Sequence, residues 1–182
     1  MKNFEYFIKN NCKYDIINKF YYNTLNKLPK VSKICLNIKL QDSQMFTFIT
    51  SLIALELVTS QKSTISSFKK PKLRLNIKDG ILTSCMVTLR KHLMYSFLKK
   101  LIYEILPQSQ EFNGINLKSS YTSSRSVTLK LNQMIDISEL EPHFLLFKNL
   151  PCLNITIVMN DSKMFELNYI FKVFKLSKSK HW

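Results

Sequence analysis

Four stretches of the chain alternate apolar and polar residues with a period of two, the spacing that turns one side of a β-strand inward and the other outward. From Lys33 to Lys39, the apolar Ile34, Leu36 and Ile38 alternate with Lys33, Cys35, Asn37 and Lys39. From Ser84 to Arg90, Cys85, Val87 and Leu89 alternate with Ser84, Met86, Thr88 and Arg90. Val127, Leu129 and Leu131 are set against Ser126, Thr128, Lys130 and Asn132, and Leu153, Ile155, Ile157 and Met159 against Asn154 and Thr156. None of the four stretches contains a carboxylate.

Helical spacing appears between them. Met94, Phe97, Leu98, Leu101, Ile102 and Ile105 recur at intervals of three and four, with Pro107 expected to end that helix. Phe46, Ile49, Leu52 and Ile53 predict a second helix over about 44–58 that covers the sheet with these residues. An N-terminal helix over about 3–20 and a C-terminal one over about 161–173, capped by Asp161 or Ser162, complete the set. The order predicts an α+β fold, a single two-layer domain spanning 1–182: a mainly antiparallel sheet with helices packed on one face and the other face open, polar and basic. No repeat or low-complexity tract interrupts it, and the hydroxyl-rich stretch from Phe112 to Arg125 reads as a loop.

Composition narrows the function. With 46% hydrophobic residues over 182 positions the chain can build a core without staples. Its 27 Lys+Arg against 12 Asp+Glu give +15, which points to a polyanionic partner. No apolar run reaches the roughly 20 residues that cross a bilayer, so no membrane insertion is expected. Cys12, Cys35, Cys85 and Cys152 form no C-x-x-C pair and read as plain thiols in a reducing compartment. His92, His143 and His181 have no ligand or triad spacing, and Glu139 and Glu141 read as solvated loop carboxylates rather than an acid pair. With Gly80 and Gly114 alone, no phosphate-binding loop can form. The sequence therefore predicts no enzyme, no metal, no cofactor and no small-molecule substrate. Lys, Asn, Ile and Phe, all encoded by A/T-rich codons, abound where glycine is scarce, as organelle genomes favour.

The charge is uneven. Between Leu57 and Tyr103 the cations Lys62, Lys69, Lys70, Lys72, Arg74, Lys78, Arg90, Lys91, Lys99 and Lys100 face one acid, Asp79. Lys99 and Lys100 read as the solvated side of a helix. The arm at about 67–80, SFKKPKLRLNIKDG, repels itself and gains free energy by displacing counterions from phosphates. Leu73, Leu75 and Ile77 alternate with Lys72, Arg74 and Asn76, so the arm is expected to pair as a hairpin when bound. A membrane-surface protein would instead gather its cations on one amphipathic helix with Trp or Phe opposite. The alternative function is a non-ribosomal basic adaptor for anionic membrane or an acidic protein.

The motifs PKVSKICLN (Pro29 to Asn37), Ser60-Gln61-Lys62, the basic arm ending in Gly80, CMVTLR (Cys85 to Arg90), MYSF (Met94 to Phe97) and Phe112-Asn113-Gly114 resemble, in this order, the bacterial-type large-subunit ribosomal protein "L five", the 5S-rRNA-binding family. The resemblance covers about residues 5–174. It implies a structural ribosomal protein whose sheet face grips 5S rRNA and large-subunit rRNA in the central protuberance through Lys33, Asn37, Gln61, Lys62, Thr88 and Arg90. It also implies a P-site-tRNA-facing arm carrying Lys69, Lys70, Lys72, Arg74 and Lys78, and contact with neighbouring ribosomal proteins, including the small-subunit head across an intersubunit bridge. Ser60 and Ser63 stand where the family has glycine and proline, Lys91 where it has glycine, and Gln108 and Gln110 where it has arginines. YTSSR (Tyr121 to Arg125) replaces a glycine-rich loop. Such drift, the codon-type bias and a start without a presequence suggest a mitochondrial-matrix ribosome and an organelle-encoded chain, in preference to a plastid or bacterial one.

Overall fold

The computed structural model describes residues 2–40, 45–67, 80, 82–109, 122–123, 126–160, 164–174 and 176. The chain begins with α1 (Lys2–Tyr6) and α2 (Cys12–Lys19), joined by a wider π-helical turn over Phe7–Asn11 in which the Cys12 amide donates to the Phe7 carbonyl. Strand β1 (Val31–Lys39), helix α3 (Met45–Thr59) and strands β2 (Thr64–Ser67) and β3 (Leu82–Leu89) follow. Then come α4 (Lys91–Lys100), a second π-helical turn (Leu101–Ile105), α5 (Leu106–Gln108), β4 (Thr122–Ser123) and β5 (Ser126–Leu131). A 3-10 turn (Glu141–His143), α6 (Phe144–Phe147), β6 (Leu153–Met159) and α7 (Met164–Val173) complete the chain. The strands form one six-stranded sheet in the order β2-β3-β1-β6-β5-β4, in which β2–β3 and β4–β5 are antiparallel. This is the expected α+β class. The cap expected at Asp161 or Ser162 and most of the Phe112 to Arg125 stretch lie outside the described residues.

The period-two reading holds in all four predicted strands. Ile34, Leu36 and Ile38 on β1, Cys85, Val87 and Leu89 on β3, Val127 and Leu129 on β5, and Ile155 and Ile157 on β6 are buried, while the intervening polar residues are half-buried or exposed. Each such aliphatic side chain stabilises the fold by roughly 1.5–3 kcal/mol, an upper range since the unfolded chain is already partly collapsed.

By contact density the chain divides into two compact units. The first takes residues 1–34, 90–129 and 156–182. In it α1 and α2 pack with α4 and α7, over a core that includes Ile16, Phe97, Leu98, Leu101 and Phe171. Tyr22 and Glu166 are covered together here. Burial first, and then the Glu166 carboxylate, push the Tyr22 phenol well above its ordinary range. An apolar cavity of about 240 Å³ lies between Ile8, Cys12, Ile16, Leu28, Met159 and Phe174. Pro107 does not end its helix: the Leu106 amide reaches back to the Leu101 carbonyl, and Pro107 falls within the first turn of a new segment, where its missing N–H costs nothing.

The second unit takes residues 35–89 and 130–155. Helix α3 packs against β3 and α6, but with the side opposite to the one expected. Phe48, Ala54, Leu55 and Val58 face inward with Thr50, Ser51 and Thr59, while Phe46, Ile49 and Ile53 are exposed and Leu52 is half-exposed. The inversion is physically permitted because each inward hydroxyl bonds a carbonyl in the preceding turn: Thr50 donates to Phe46 at 3.0 Å, Ser51 to Thr47 at 2.6 Å and Thr59 to Leu55 at 2.6 Å. Three short elements go beyond those the sequence pattern predicts: β2, β4 within the expected loop, and α6 with its preceding turn around Pro142, where Glu141 and His143 read as loop.

Candidate nucleic-acid interface

Strands β1 and β3 run antiparallel in the second unit, since the Leu40 amide, just past the end of β1, donates to Thr83 near the start of β3 at 3.0 Å. The Cys35 thiol lies 3.9 Å from the Thr88 hydroxyl, which fits the same register. Side chains of one parity, Cys35, Asn37 and Lys39 on β1 and Ser84, Met86 and Thr88 on β3, therefore share the side away from the buried aliphatics. Thr88 and Lys39 are exposed and Asn37 is half-buried. Asn37 Oδ1 is covered and has no hydrogen-bond partner among the described residues. A covered, unmatched amide oxygen costs about 1–3 kcal/mol, which a ligand that reorients the amide can recover.

Gln61 and Lys62 are set by the way α3 stops. The Ser60 amide donates back to the Glu56 carbonyl at 2.8 Å, and Ser60 itself adopts a left-handed φ of 53°. The Gln61 amide then donates to the Thr59 hydroxyl at 3.3 Å, and the Ser63 amide and hydroxyl both donate to Glu56 Oε1 at 3.1 Å. The outcome leaves Gln61 half-buried and Lys62 exposed. Ser63 thus uses two donors that a proline lacks, and Ser60 adopts the conformation that a glycine takes without strain.

Lys33, half-buried on β1, and Arg90, exposed at the end of β3, belong to the first unit. Arg90 is still extended, with φ −138° and ψ 164°, before Lys91 turns left-handed at φ 51° to open α4. The backbone thus brings Asn37 and Thr88 onto adjacent strands and seats Gln61 beside Lys62. Lys69, Lys70, Lys72, Arg74 and Lys78 lie outside the described residues.

The same polar parity continues in residues not singled out beforehand. In the first unit the Thr128 and Thr156 hydroxyls pair across β5 and β6 at 3.1 Å, with half-buried Ser126 beside them on β5. Their signal is already present as the polar half of each alternation. Lys99 is exposed as expected, but Lys100 is half-buried. Desolvation lowers its ammonium pKa, and nearby Glu104 opposes that shift. On the core side, burial pushes the Cys85 thiol up to about 11. Among the described residues no three His, Cys, Asp or Glu side chains could hold a metal ion, and no helix is long and apolar enough to cross a membrane. The face offers amides, hydroxyls and cations, the groups that bond phosphates and 2′-hydroxyls.

Residues 82–177 match the family model for the C-terminal part of the ribosomal uL5 proteins. The chain is 32% identical over 128 residues to the large ribosomal subunit protein uL5 of Ehrlichia ruminantium, covering 68% of this chain and 71% of that protein. It is 29% identical over 168 residues to the uL5m protein of Reclinomonas americana, covering 91% and 92% respectively. The uL5c protein of Guillardia theta is 31% identical over 128 residues, 69% of this chain and 70% of that one.

Proposed function

The chain belongs to the uL5 family of ribosomal proteins and is a structural constituent of the large ribosomal subunit rather than an enzyme; within that subunit, we propose, its open sheet face binds 5S rRNA, or the RNA in its place, together with large-subunit rRNA of the central protuberance. The observation that carries this reading is a strand surface free of carboxylates on a chain of charge +15. Asn37 and Thr88 lie on adjacent strands of it, and Asn37 Oδ1 lacks a partner among the described residues. Lys33, Lys62 and Arg90 meet phosphates and set the register. Asn37, Gln61 and Thr88 reach 2′-hydroxyls and base edges.

The basic arm, with Lys69, Lys70, Lys72, Arg74 and Lys78, faces the P-site tRNA, and the protein also contacts the small-subunit head. The working compartment is the mitochondrial matrix, supported by the match over 91% of the chain to a uL5m protein and by the A/T-codon bias. The whole chain acts as one RNA-binding domain.

The test is binding of the purified chain to transcribed 5S rRNA and to a central-protuberance fragment from the same organism, titrated from about 50 to 200 mM salt. Expected are saturable complexes whose affinity falls log-linearly with salt and which unrelated duplex RNA of equal length displaces poorly. Equal affinity for the unrelated duplex would reduce the interface to bare charge and overturn the reading. Changing Lys70 and Arg74 to Gln should leave these complexes intact while weakening tRNA retention by reconstituted subunits.

A further inference from the structure

Helix α3 turns the wrong side to water for a free-standing protein. Met45 and Phe46 are each 65% exposed, and Ile49, Ile53 and Leu57 follow along the same outward stripe at intervals of three and four. Its polar Thr50, Ser51 and Thr59 are meanwhile turned inward and satisfied by the helix's own carbonyls. A contiguous apolar stripe rimmed by polar groups marks a contact surface.

The charge around the stripe says what kind of contact. Residues 40–61 contain no Lys or Arg and two acids, Asp42 and Glu56, in a chain that elsewhere carries all 27 of its cations. RNA is disfavoured, since no cation here releases counterions and the carboxylates repel phosphate. An anionic bilayer surface is disfavoured for the same reason. A second copy of this chain meeting stripe to stripe would oppose like charges. We propose that the outward face of α3 docks a basic protein, through an apolar ridge flanked by lysine or arginine, separately from the RNA-binding face. The partner's cations meet Glu56, whose Oε1 is already anchored by Ser63.

Hydroxyl-radical footprinting tests this without any substitution, because Met and Phe oxidise readily. Oxidation of Met45 and Phe46 is compared by mass spectrometry in the free chain and in purified large subunits. Protection of about fivefold or more that persists after RNase digestion is expected, together with a zero-length carbodiimide crosslink from Glu56 to a lysine of a different polypeptide. Introducing Ile49→Asp with Ile53→Asp, both at exposed positions, should abolish the crosslink and leave affinity for transcribed rRNA unchanged. Any of four results would overturn the proposal: equal oxidation in both states, protection lost with RNase, a crosslink to a second copy of this chain, or protection of the free chain by anionic vesicles alone. Loss of rRNA affinity in the double variant would likewise overturn the separation of the two faces. The rRNA-binding assay of the sheet face fails or succeeds independently of these outcomes.

Discussion

Thr88→Val removes one hydroxyl from the open face and keeps shape, β-branching and strand propensity. Within the fold that hydroxyl has little to lose: its recorded polar contact is the Cys35 thiol at 3.9 Å, a weak pairing on an exposed surface. Unfolding free energy should therefore change by under about 0.5 kcal/mol, the range for surface substitutions. If Thr88 bonds a phosphate or a 2′-hydroxyl, the complex loses about 0.5–1.5 kcal/mol, which weakens affinity roughly twofold to twelvefold. Thr128→Val is the control, since the Thr128 hydroxyl is already engaged with Thr156 at 3.1 Å; it should cost stability first and affinity less. Urea denaturation and filter binding to transcribed 5S rRNA measure the two quantities separately. An unchanged dissociation constant for Thr88→Val, or a loss of stability as large as the loss of affinity, would refute the assignment of this hydroxyl to RNA.

Arg90→Ala should weaken binding to all tested RNAs alike and reduce the slope of log affinity against log salt by about 1, as for one lost phosphate contact. Ser60→Gly and Lys91→Gly each relieve a left-handed residue, at φ 53° and 51°. A strain of roughly 1–2 kcal/mol set against about 0.4–1 kcal/mol of extra unfolded-state entropy leaves a gain of about 0.5–1 kcal/mol per site, visible as a higher urea midpoint. A drop in midpoint would contradict the strain argument. Burial raises the Cys12 and Cys85 thiols from 9.0 to about 11, so between those pH values the unfolded chain releases protons that the folded chain keeps. Their contribution to stability is complete below pH 9 and is lost as pH rises to about 11. Replacing both by Ala should flatten that part of the urea-midpoint profile, while in the wild-type chain a thiol reagent should modify Cys35 and Cys152 before either of them.

What could be read in advance follows from how each element encodes itself. A strand's alternation has only two phases, so the buried set Ile34, Leu36 and Ile38 was unambiguous, and with it the polar side that carries Asn37. Helix α3 is apolar nearly all round, and its few hydroxyls can satisfy themselves, so polarity no longer marks the outside; the pattern favours Phe46, Ile49, Leu52 and Ile53, and packing selects Phe48, Ala54, Leu55 and Val58. Strand β2 is four residues at a sheet edge, too short to show a period, and Pro107 sits where a π-helical turn has already reset the hydrogen bonding. Lys100 reads as solvated beside Lys99, though neighbours on a helix point about 100° apart, and one of the two turns toward covered ground. At the interface, residue types were legible and partners were not: that Thr88 faces Cys35 depends on the β1–β3 register, which only long-range pairing fixes. Gln61 and Lys62 carry no physical signal of their own and enter through resemblance alone.

The outward stripe on α3 also bears on the life of the protein before it joins anything. A copy synthesised ahead of its binding places would expose Phe46, Ile49 and Ile53 to the surrounding solution, an adhesive surface that chaperones recognise and that favours clumping. Surplus molecules would then be cleared faster than installed ones, so the amount of this polypeptide in the cell would follow the supply of nascent particles rather than its own rate of translation.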